Sequence, residues 1–150
     1  MVLGQYLKYM YPNANVPVVQ LSLDGSMSAR EREHYELAKQ LRPLRDENIL
    51  ILSSGNVVHN LRTIRWQEGA EPYPLATQFN HFFISKIQAN HQDSLIEWEG
   101  FGEAAKLSIP TPEHYWPALY TLALQAKGEQ VKIYSDGIGM SSISMLGFSI

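Results

Sequence analysis

The sequence contains no cysteine and no long hydrophobic run. Without cysteine, the chain cannot form disulfides, thiolate metal sites, iron–sulfur clusters or a cysteine nucleophile. No apolar stretch approaches the ~20 residues that a membrane-spanning helix needs. The N-terminal residues also lack the basic head and apolar core of a signal peptide. These absences predict a protein with no membrane partner and a cytoplasmic location.

An excess of charge of one sign is also missing. The 12 basic and 15 acidic residues give a formal net charge of −3, so electrostatics provides no reason to expect nucleic acid as a partner. The length of 150 residues predicts a single domain over residues 1–150. Any metal ion would need histidine, aspartate or glutamate ligands, which directs attention to the five histidines.

Two short apolar runs separated by a helical pattern indicate the fold class. Residues 16–23 and 48–52 are typical of buried strands. Between them, Ser28 and Glu31 have the spacing of a capping box for a helix that runs to about Leu41. Two strands joined through a helix are normally parallel neighbours. We therefore predict an α/β fold with a partly parallel central sheet flanked by helices.

The second half of the chain predicts two more helices and two strands. Residues 76–89 place several aromatic side chains largely on one side of a helix, and residues 112–126 follow a possible cap at Thr111, with Pro112 in the first turn. Residues 131–134 and 143–148 are predicted to form two strands around a glycine-containing turn.

The first segment that could carry chemistry is S-S-G-N-V-V-H-N-L-R at residues 53–62. It follows a predicted strand, and open α/β sheets bind ligands beyond the carboxyl ends of their strands. Gly55 would let the backbone approach a ligand closely, and His59 could bind a metal ion or transfer a proton near neutral pH. The alternative is a strand–turn–helix corner in which His59 is only a structural cap.

The second segment is P-T-P-E-H-Y at residues 110–115, followed by Trp116 and Pro117. The prolines fix the backbone, so His114 is held on a rigid first helical turn, which suits a ligand or an acid–base group. A helix N-terminus disfavours the protonated imidazole and therefore favours the neutral, metal-binding form. The alternative is an ordinary helix start with His114 on the surface.

The remaining histidines and the serines give weaker signals. His34 is expected to be structural or exposed, His81 structural, and His91 part of a polar helix end. Ser53 and Ser54 near His59 suggest a hydrolase only distantly, because there is no G-x-S-x-G elbow. The sequence also contains no P-loop, no G-x-G-x-x-G and no H-E-x-x-H.

Taken in order, these motifs resemble the C-terminal part of the DOPA-dioxygenase type of extradiol aromatic ring-opening dioxygenases, which are class III extradiol enzymes. The similarity covers essentially the whole chain, and residues 54–61 are its most specific element. The matching stretches are M-Y-P at 10–12, P-V-V-Q-L-S-L-D at 17–24, S-G-N-V-V-H-N-L-R at 54–62, P-T-P-E-H-Y at 110–115 and G-M-S-S-I-S-M at 139–145.

The resemblance implies a metalloenzyme that opens the ring of a catechol such as DOPA with O₂, using non-haem Fe(II) or, in some members, Zn(II). It implies that His114 is a metal ligand and that His59 is a catalytic residue at the metal and the catechol. His59 would be either the acid–base group or an additional ligand. Asn56, in the same motif, is assigned to substrate binding.

The family pattern also contains earlier segments that this sequence lacks, of the His-Gly-Ser-Pro, Ser-Ala-His and His-Gly-x-Trp types. In the family these segments supply further metal and substrate histidines. We therefore expect an incomplete extradiol dioxygenase-like domain that is impaired or dependent on a partner, either a second copy in a homodimer or a complementing N-terminal half. Its metal could be absent. The alternative function is a non-catalytic interaction protein derived from such an enzyme.

Overall fold

The computed structural model describes residues 3–25 and 30–150, and most of its regular structure is helical. The α-helices are α1 (Leu3–Met10), α2 (Glu31–Lys39), α3 (Pro74–Gln88), α4 (Asp93–Ile96), α5 (Glu103–Ser108) and α6 (Trp116–Ala123). Short 3₁₀ helices span Arg42–Glu47, Leu61–Thr63, Trp98–Phe101 and Pro112–His114. None of the described helices is long and apolar enough to cross a membrane.

The core lies between two helix pairs, because α2 packs on α6 and α3 packs on α5. Helix α3 shows how the sequence produces this arrangement. Phe79, Phe83 and Ile87 are spaced four residues apart, so they share one face, and all three are buried. Tyr115 fills the space beside them, with its ring near Phe79 and Phe83 and its hydroxyl donating to the carbonyl of Leu95. The prediction of a helix over residues 76–89 is confirmed.

Helix α2 also agrees with its prediction over the described residues. Tyr35 and Ala38 are buried, while Leu41 lies just beyond the helix and packs partly buried against the core. The predicted cap at Ser28 lies outside the described residues.

The helix predicted over residues 112–126 is present in two parts. Pro112–His114 forms a 3₁₀ turn, and α6 then runs from Trp116 to Ala123. The predicted cap at Thr111 is wrong, because its hydroxyl donates to the carboxylate of Glu113 at 2.7 Å rather than accepting from a backbone N–H.

The C-terminal strands form two small antiparallel sheets. β1 (Lys132–Ser135) pairs with β4 (Gly147–Ser149), and β2 (Ile138–Gly139) pairs with β3 (Ile143–Ser144). The predicted tail strands at 131–134 and 143–148 are thus largely in place. The second predicted strand is divided between β3 and β4.

The predicted parallel sheet is not formed by the described residues. Residues 16–23 and 48–52 are not assigned to strands, and the sheets that exist are antiparallel. The physical reason is a lack of partners: a strand requires hydrogen bonds to a neighbouring strand, and the only described backbone hydrogen bonds of these two segments are those from Asn48 and Ile49 to Leu44 at a helix end. The coarser expectation holds, because the domain mixes helices with strands.

Candidate active site

Residues 55–60 lie between two other parts of the chain and hydrogen-bond to both. On one side, the amide of Ser144 donates to the carbonyl of Val58 at 2.9 Å, and His59 forms an isolated antiparallel bridge with Ile143. Val57 and Val58 are buried and fix the segment to the core. These contacts place His59 at the edge of the small sheet formed by β2 and β3.

The other side of the segment contacts the stretch from Leu107 to His114. The amide of His59 donates to the carbonyl of Ser108 at 2.8 Å, and the side-chain amide of Asn60 donates to the carbonyl of Leu107 at 2.8 Å. Asn60 also caps the following 3₁₀ helix by accepting from the amide of Arg62. The cap at this corner is therefore Asn60, so the alternative in which His59 is a structural cap is not what the structure shows.

The backbone of His114 is attached directly to the same segment. The amide of Asn56 donates to the carbonyl of His114 at 2.8 Å. Gly55 lies so close that a β-carbon built on it would be 2.3 Å from the same carbonyl oxygen. The sequence predicts a close approach of the Gly55 backbone to a ligand. The close neighbour in the structure is the backbone of His114, and the approach to a ligand stays a prediction. The two histidine segments are thus joined through Gly55 and Asn56.

The imidazole rings of His59 and His114 stack on each other. Their centroids are 3.6 Å apart, the planes differ by 20°, and both residues are half-buried. The structure therefore brings together the two histidines that the sequence selected. Burial lowers the pKa of His59, and the neighbouring His114 lowers it further. This environment favours the neutral imidazole at His59.

The stacked geometry bears on how these rings could hold a metal ion. An imidazole nitrogen binds a metal ion at about 2.1 Å and directs its lone pair within the ring plane. Because the two ring planes are nearly parallel and their centroids are 3.6 Å apart, one ion cannot lie in both planes at that distance. In this arrangement, one of the two histidines can be a ligand while the other lies beside it.

Glu113 adds a carboxylate to this neighbourhood that the motifs did not single out. Partial burial acts to raise its pKa, but the hydrogen bond from Thr111 and the nearby His114 and His59 lower it overall. Its negative charge in turn acts to raise the pKa of His59. The signal for Glu113 was available in the sequence, because it directly precedes His114.

Asn56 is held by the protein's own backbone. Its side-chain amide donates to the carbonyl of Ser144 at 2.7 Å, while its backbone amide holds His114. These contacts connect the C-terminal sheet to the histidine pair. The structure thus gives Asn56 a positioning role, and its assignment to substrate binding stays a prediction.

The described residues do not complete a metal site. Within 3–25 and 30–150, no group of three or more His, Cys, Asp or Glu side chains is placed to hold a metal ion. His59 and His114 fit part of a histidine-based site, since imidazole suits both iron and zinc. Two surface cavities, of 390 and 420 Å³, are lined by other residues, including Trp98 and Glu99, and neither is lined by His59 or His114.

The other histidines lie elsewhere. His81 and His91 are exposed. His34 is fully buried between α2 and α6, where its ring stacks on Trp116 with centroids 4.1 Å apart and its Nδ1 lies 3.2 Å from the hydroxyl of Tyr120. Of the two expectations for His34, the structural one is therefore correct.

Comparison with known proteins agrees with the motifs at this site. Residues 5–145 match the family described as the catalytic LigB subunit of aromatic ring-opening dioxygenase. The chain is 44% identical over 144 residues to the 4,5-DOPA dioxygenase extradiol of Escherichia coli K12, covering 94% of this chain and 52% of that protein. It is 32% identical over 127 residues to the protein of the same name from Beta vulgaris, covering 84% of this chain and 45% of that protein.

A solved structure shows the same fold. The crystal structure of an uncharacterized protein from Escherichia coli K12 superposes with a TM-score of 0.85 at 43% sequence identity. The match covers 95% of this chain and 58% of that one. This chain thus spans about half the length of the curated relatives it matches.

Proposed function

This chain belongs to the family of the catalytic LigB subunit of aromatic ring-opening dioxygenases, and from that premise we propose that it supplies one part of an extradiol dioxygenase active site. The substrate class is a catechol such as DOPA, cleaved with O₂ beside the diol. The observation that carries the proposal is the His59–His114 ring contact, with centroids 3.6 Å apart, formed by the two motif segments of the family.

We assign His114 as a metal ligand and His59 as the acid–base residue. The stacked rings do not let both residues bind one ion in this arrangement, and the resemblance to the family makes His114 the ligand, which leaves the acid–base role to His59. The proposed metal is non-haem Fe(II) or Zn(II), and when bound it would supply positive charge and open positions for a catechol and O₂. Further ligands would come from polypeptide outside the described residues.

The chain's own residues then perform defined tasks. The backbone of His59, held by Ser108, fixes its imidazole beside His114, where a neutral ring can accept a proton from a catechol hydroxyl. Asn56 and Gly55 fix the position of His114 through its carbonyl oxygen. The partly parallel sheet predicted from the sequence belongs to the same proposal, with residues 16–23 and 48–52 as its strands in a completed domain.

The alternative is a non-catalytic interaction protein. The observation in its favour is that the described residues offer no group of three metal-binding side chains. The two functions differ in ring opening. The enzyme opens the ring and needs His59 and His114 to do so, whereas the interaction protein does not open it.

The test measures metal binding and ring opening separately, on the chain combined with the part of the Escherichia coli relative that it does not cover. Fe(II) binding is measured by anaerobic calorimetry, and ring opening by the yellow semialdehyde formed from DOPA and O₂. We expect His114→Ala to lose metal and activity, His59→Ala to keep metal but lose activity, and His81→Ala, at an exposed histidine, to keep both. Metal binding and turnover unaffected by His114→Ala would refute the assignment. A complex without turnover would favour the non-catalytic alternative.

A further inference from the structure

Two segments of this chain that are assigned to neither helix nor strand expose apolar side chains of the kind that usually fill a protein interior. Residues 16–23 read V-P-V-V-Q-L-S-L, and residues 49–52 read I-L-I-L, without a charged side chain in either. Uncharged, nearly continuous apolar runs are typical of strands covered on both faces. Here Val19 is 93% exposed and Leu50 is 59% exposed.

Apart from Ile49, whose amide donates to the carbonyl of Leu44 at 3.3 Å, the backbone of both segments is also unpaired. Among the described residues, no backbone–backbone hydrogen bond involves residues 16–23 or 50–55. Extended backbone with free N–H and C=O groups is a template for another strand. Exposed apolar side chains and an unpaired backbone thus coincide in the same two segments.

The segments are nevertheless attached to the folded domain. Leu23 packs against the core at the end of the first segment. From Leu50 to Ser53, exposed and half-buried residues alternate, as in a strand with one covered face. Asn56 then joins the His114 backbone. The domain therefore anchors the first segment at its end and the second along one side.

We infer that residues 16–23 and 49–52 are the docking surface for a polypeptide equivalent to the part of the Escherichia coli relative that this chain does not match, and that this polypeptide adds strands to both segments. The relatives' lengths support this occupant over a second copy. The solved Escherichia coli structure has the same fold at a TM-score of 0.85, yet this chain covers only 58% of it. A second copy would bring only the same two unpaired segments.

The docking does not depend on catalysis, so it is tested without metal or catechol. The 150-residue chain is co-expressed with the part of the Escherichia coli relative that it does not cover, and the complex is weighed by light scattering. We expect a 1:1 heterodimer. Hydrogen exchange should slow at residues 18–23 and 50–53 on complex formation, and remain unchanged at the exposed loop residues 66–69.

Substitutions make the test specific to these segments. Val19→Glu and Leu50→Glu should weaken the heterodimer by at least about tenfold, because a charge would be buried in the contact. Met145→Glu is the matched control, since Met145 is 57% exposed and lies outside both segments, and it should leave association unchanged. Circular dichroism of each free variant checks that the fold is intact.

Three outcomes would overturn the inference. A homodimer of the chain that excludes the added polypeptide would show that a second copy covers the surface. A heterodimer without protection at residues 18–23 and 50–53 would place the contact elsewhere. Equal weakening of the heterodimer by Met145→Glu and Leu50→Glu would show that the effect is not specific to the two segments. A catalytically silent heterodimer would leave the docking intact and count only against the proposed function.

Discussion

Gly55 lies against the carbonyl oxygen of His114 so closely that the structure has no room for a side chain between them. A β-carbon on Gly55 would be 2.3 Å from that oxygen and 3.0 Å from the ring of Pro117. The amide of Asn56 donates to the same oxygen at 2.8 Å. The ring of His114 stacks on that of His59, so a shift of the His114 backbone at this contact would also move one of the two imidazoles.

Replacing Gly55 with alanine should therefore disturb the histidine pair. The obstacle is backbone rather than a flexible side chain, so the His114 segment must move, and we expect the free energy of unfolding to fall by about 1–3 kcal/mol. Ring opening in the complemented enzyme should fall more steeply than stability does. Chemical denaturation and turnover measure the two effects. Gly100→Ala is the control, because a β-carbon there meets nothing within 4 Å; equal behaviour of the two variants would contradict the steric argument.

A substitution at Asn56 can distinguish a role in positioning the histidine pair from a role in substrate binding. Asn56→Asp keeps the shape but replaces the donor to the Ser144 carbonyl with an acceptor. We expect a loss of about 1–3 kcal/mol of stability and a lower kcat, with Asn13→Asp, at an exposed asparagine, as the neutral control. A raised KM with unchanged stability and unchanged kcat would instead support the assignment of Asn56 to substrate binding.

His34 should make the stability of the domain depend on pH. Burial lowers its pKa below the usual value of 6.5, and the nearby carboxylates of Glu31, Asp24 and Glu33 offset this only in part. The neutral ring is thus favoured in the folded state. Its contribution is fully present above pH 6.5 and is lost as the pH falls through the lower pKa of the folded state.

The variant His34→Phe tests this linkage, because phenylalanine can still stack on Trp116 but cannot be protonated. Urea unfolding from about pH 8 to about pH 5.5 should show a smaller loss of stability in the variant than in the unmodified chain. At about pH 8 the variant should be less stable by roughly 1 kcal/mol, because it loses the hydrogen bond to Tyr120. Identical pH profiles would mean that His34 does not titrate with unfolding; the same experiment on His81→Phe controls for an exposed histidine.

Local patterns predicted the helices better than the sheet. The spacing of Phe79, Phe83 and Ile87 located α3 almost to its ends, because a helix is closed by hydrogen bonds within one segment. Residues 16–23 and 48–52 have equally clear strand composition, yet a strand depends on partners elsewhere in the sequence. The described chain provides no such partners, so composition alone could not produce the sheet.

The same contrast between local patterns and distant partners applies to the candidate active site. Its two histidines were selected from motif and resemblance, and the structure places their rings in contact. The connection between them could not be predicted from the sequence, because it consists of backbone hydrogen bonds between residues that are distant in the sequence, such as Asn56 with His114. Thr111 illustrates the local limit: capping and bonding to Glu113 are both open to a threonine hydroxyl, and only the structure distinguishes them.

The Arg45–Glu129 ion pair should be the surface pair that matters most for stability. Arg45 donates to both carboxylate oxygens at 2.7 and 2.8 Å and also to the carbonyl of Leu124, while the amide of Ala126 donates to Glu129. Hydrogen bonds from Arg45 and from the Ala126 backbone lower the pKa of Glu129 to about 2. Both side chains are about a third exposed, so solvent weakens the pair only partly.

Glu129→Gln should lower the free energy of unfolding by roughly 1–2 kcal/mol near neutral pH, after allowance for exposure. Glu103→Gln is the matched control, because its carboxylate meets Lys106 at 3.5 Å on an 82% exposed side chain, and it should change little. The folded-state pKa of Glu129 is depressed, so its contribution is present above the usual value of 4.5 and is lost as the pH falls through about 2. Urea unfolding at about pH 7 and about pH 3 should therefore show the difference between Glu129→Gln and the unmodified chain shrinking in acid. A difference that grows in acid, or one no larger than that of Glu103→Gln, would show that the pair does not stabilise the fold.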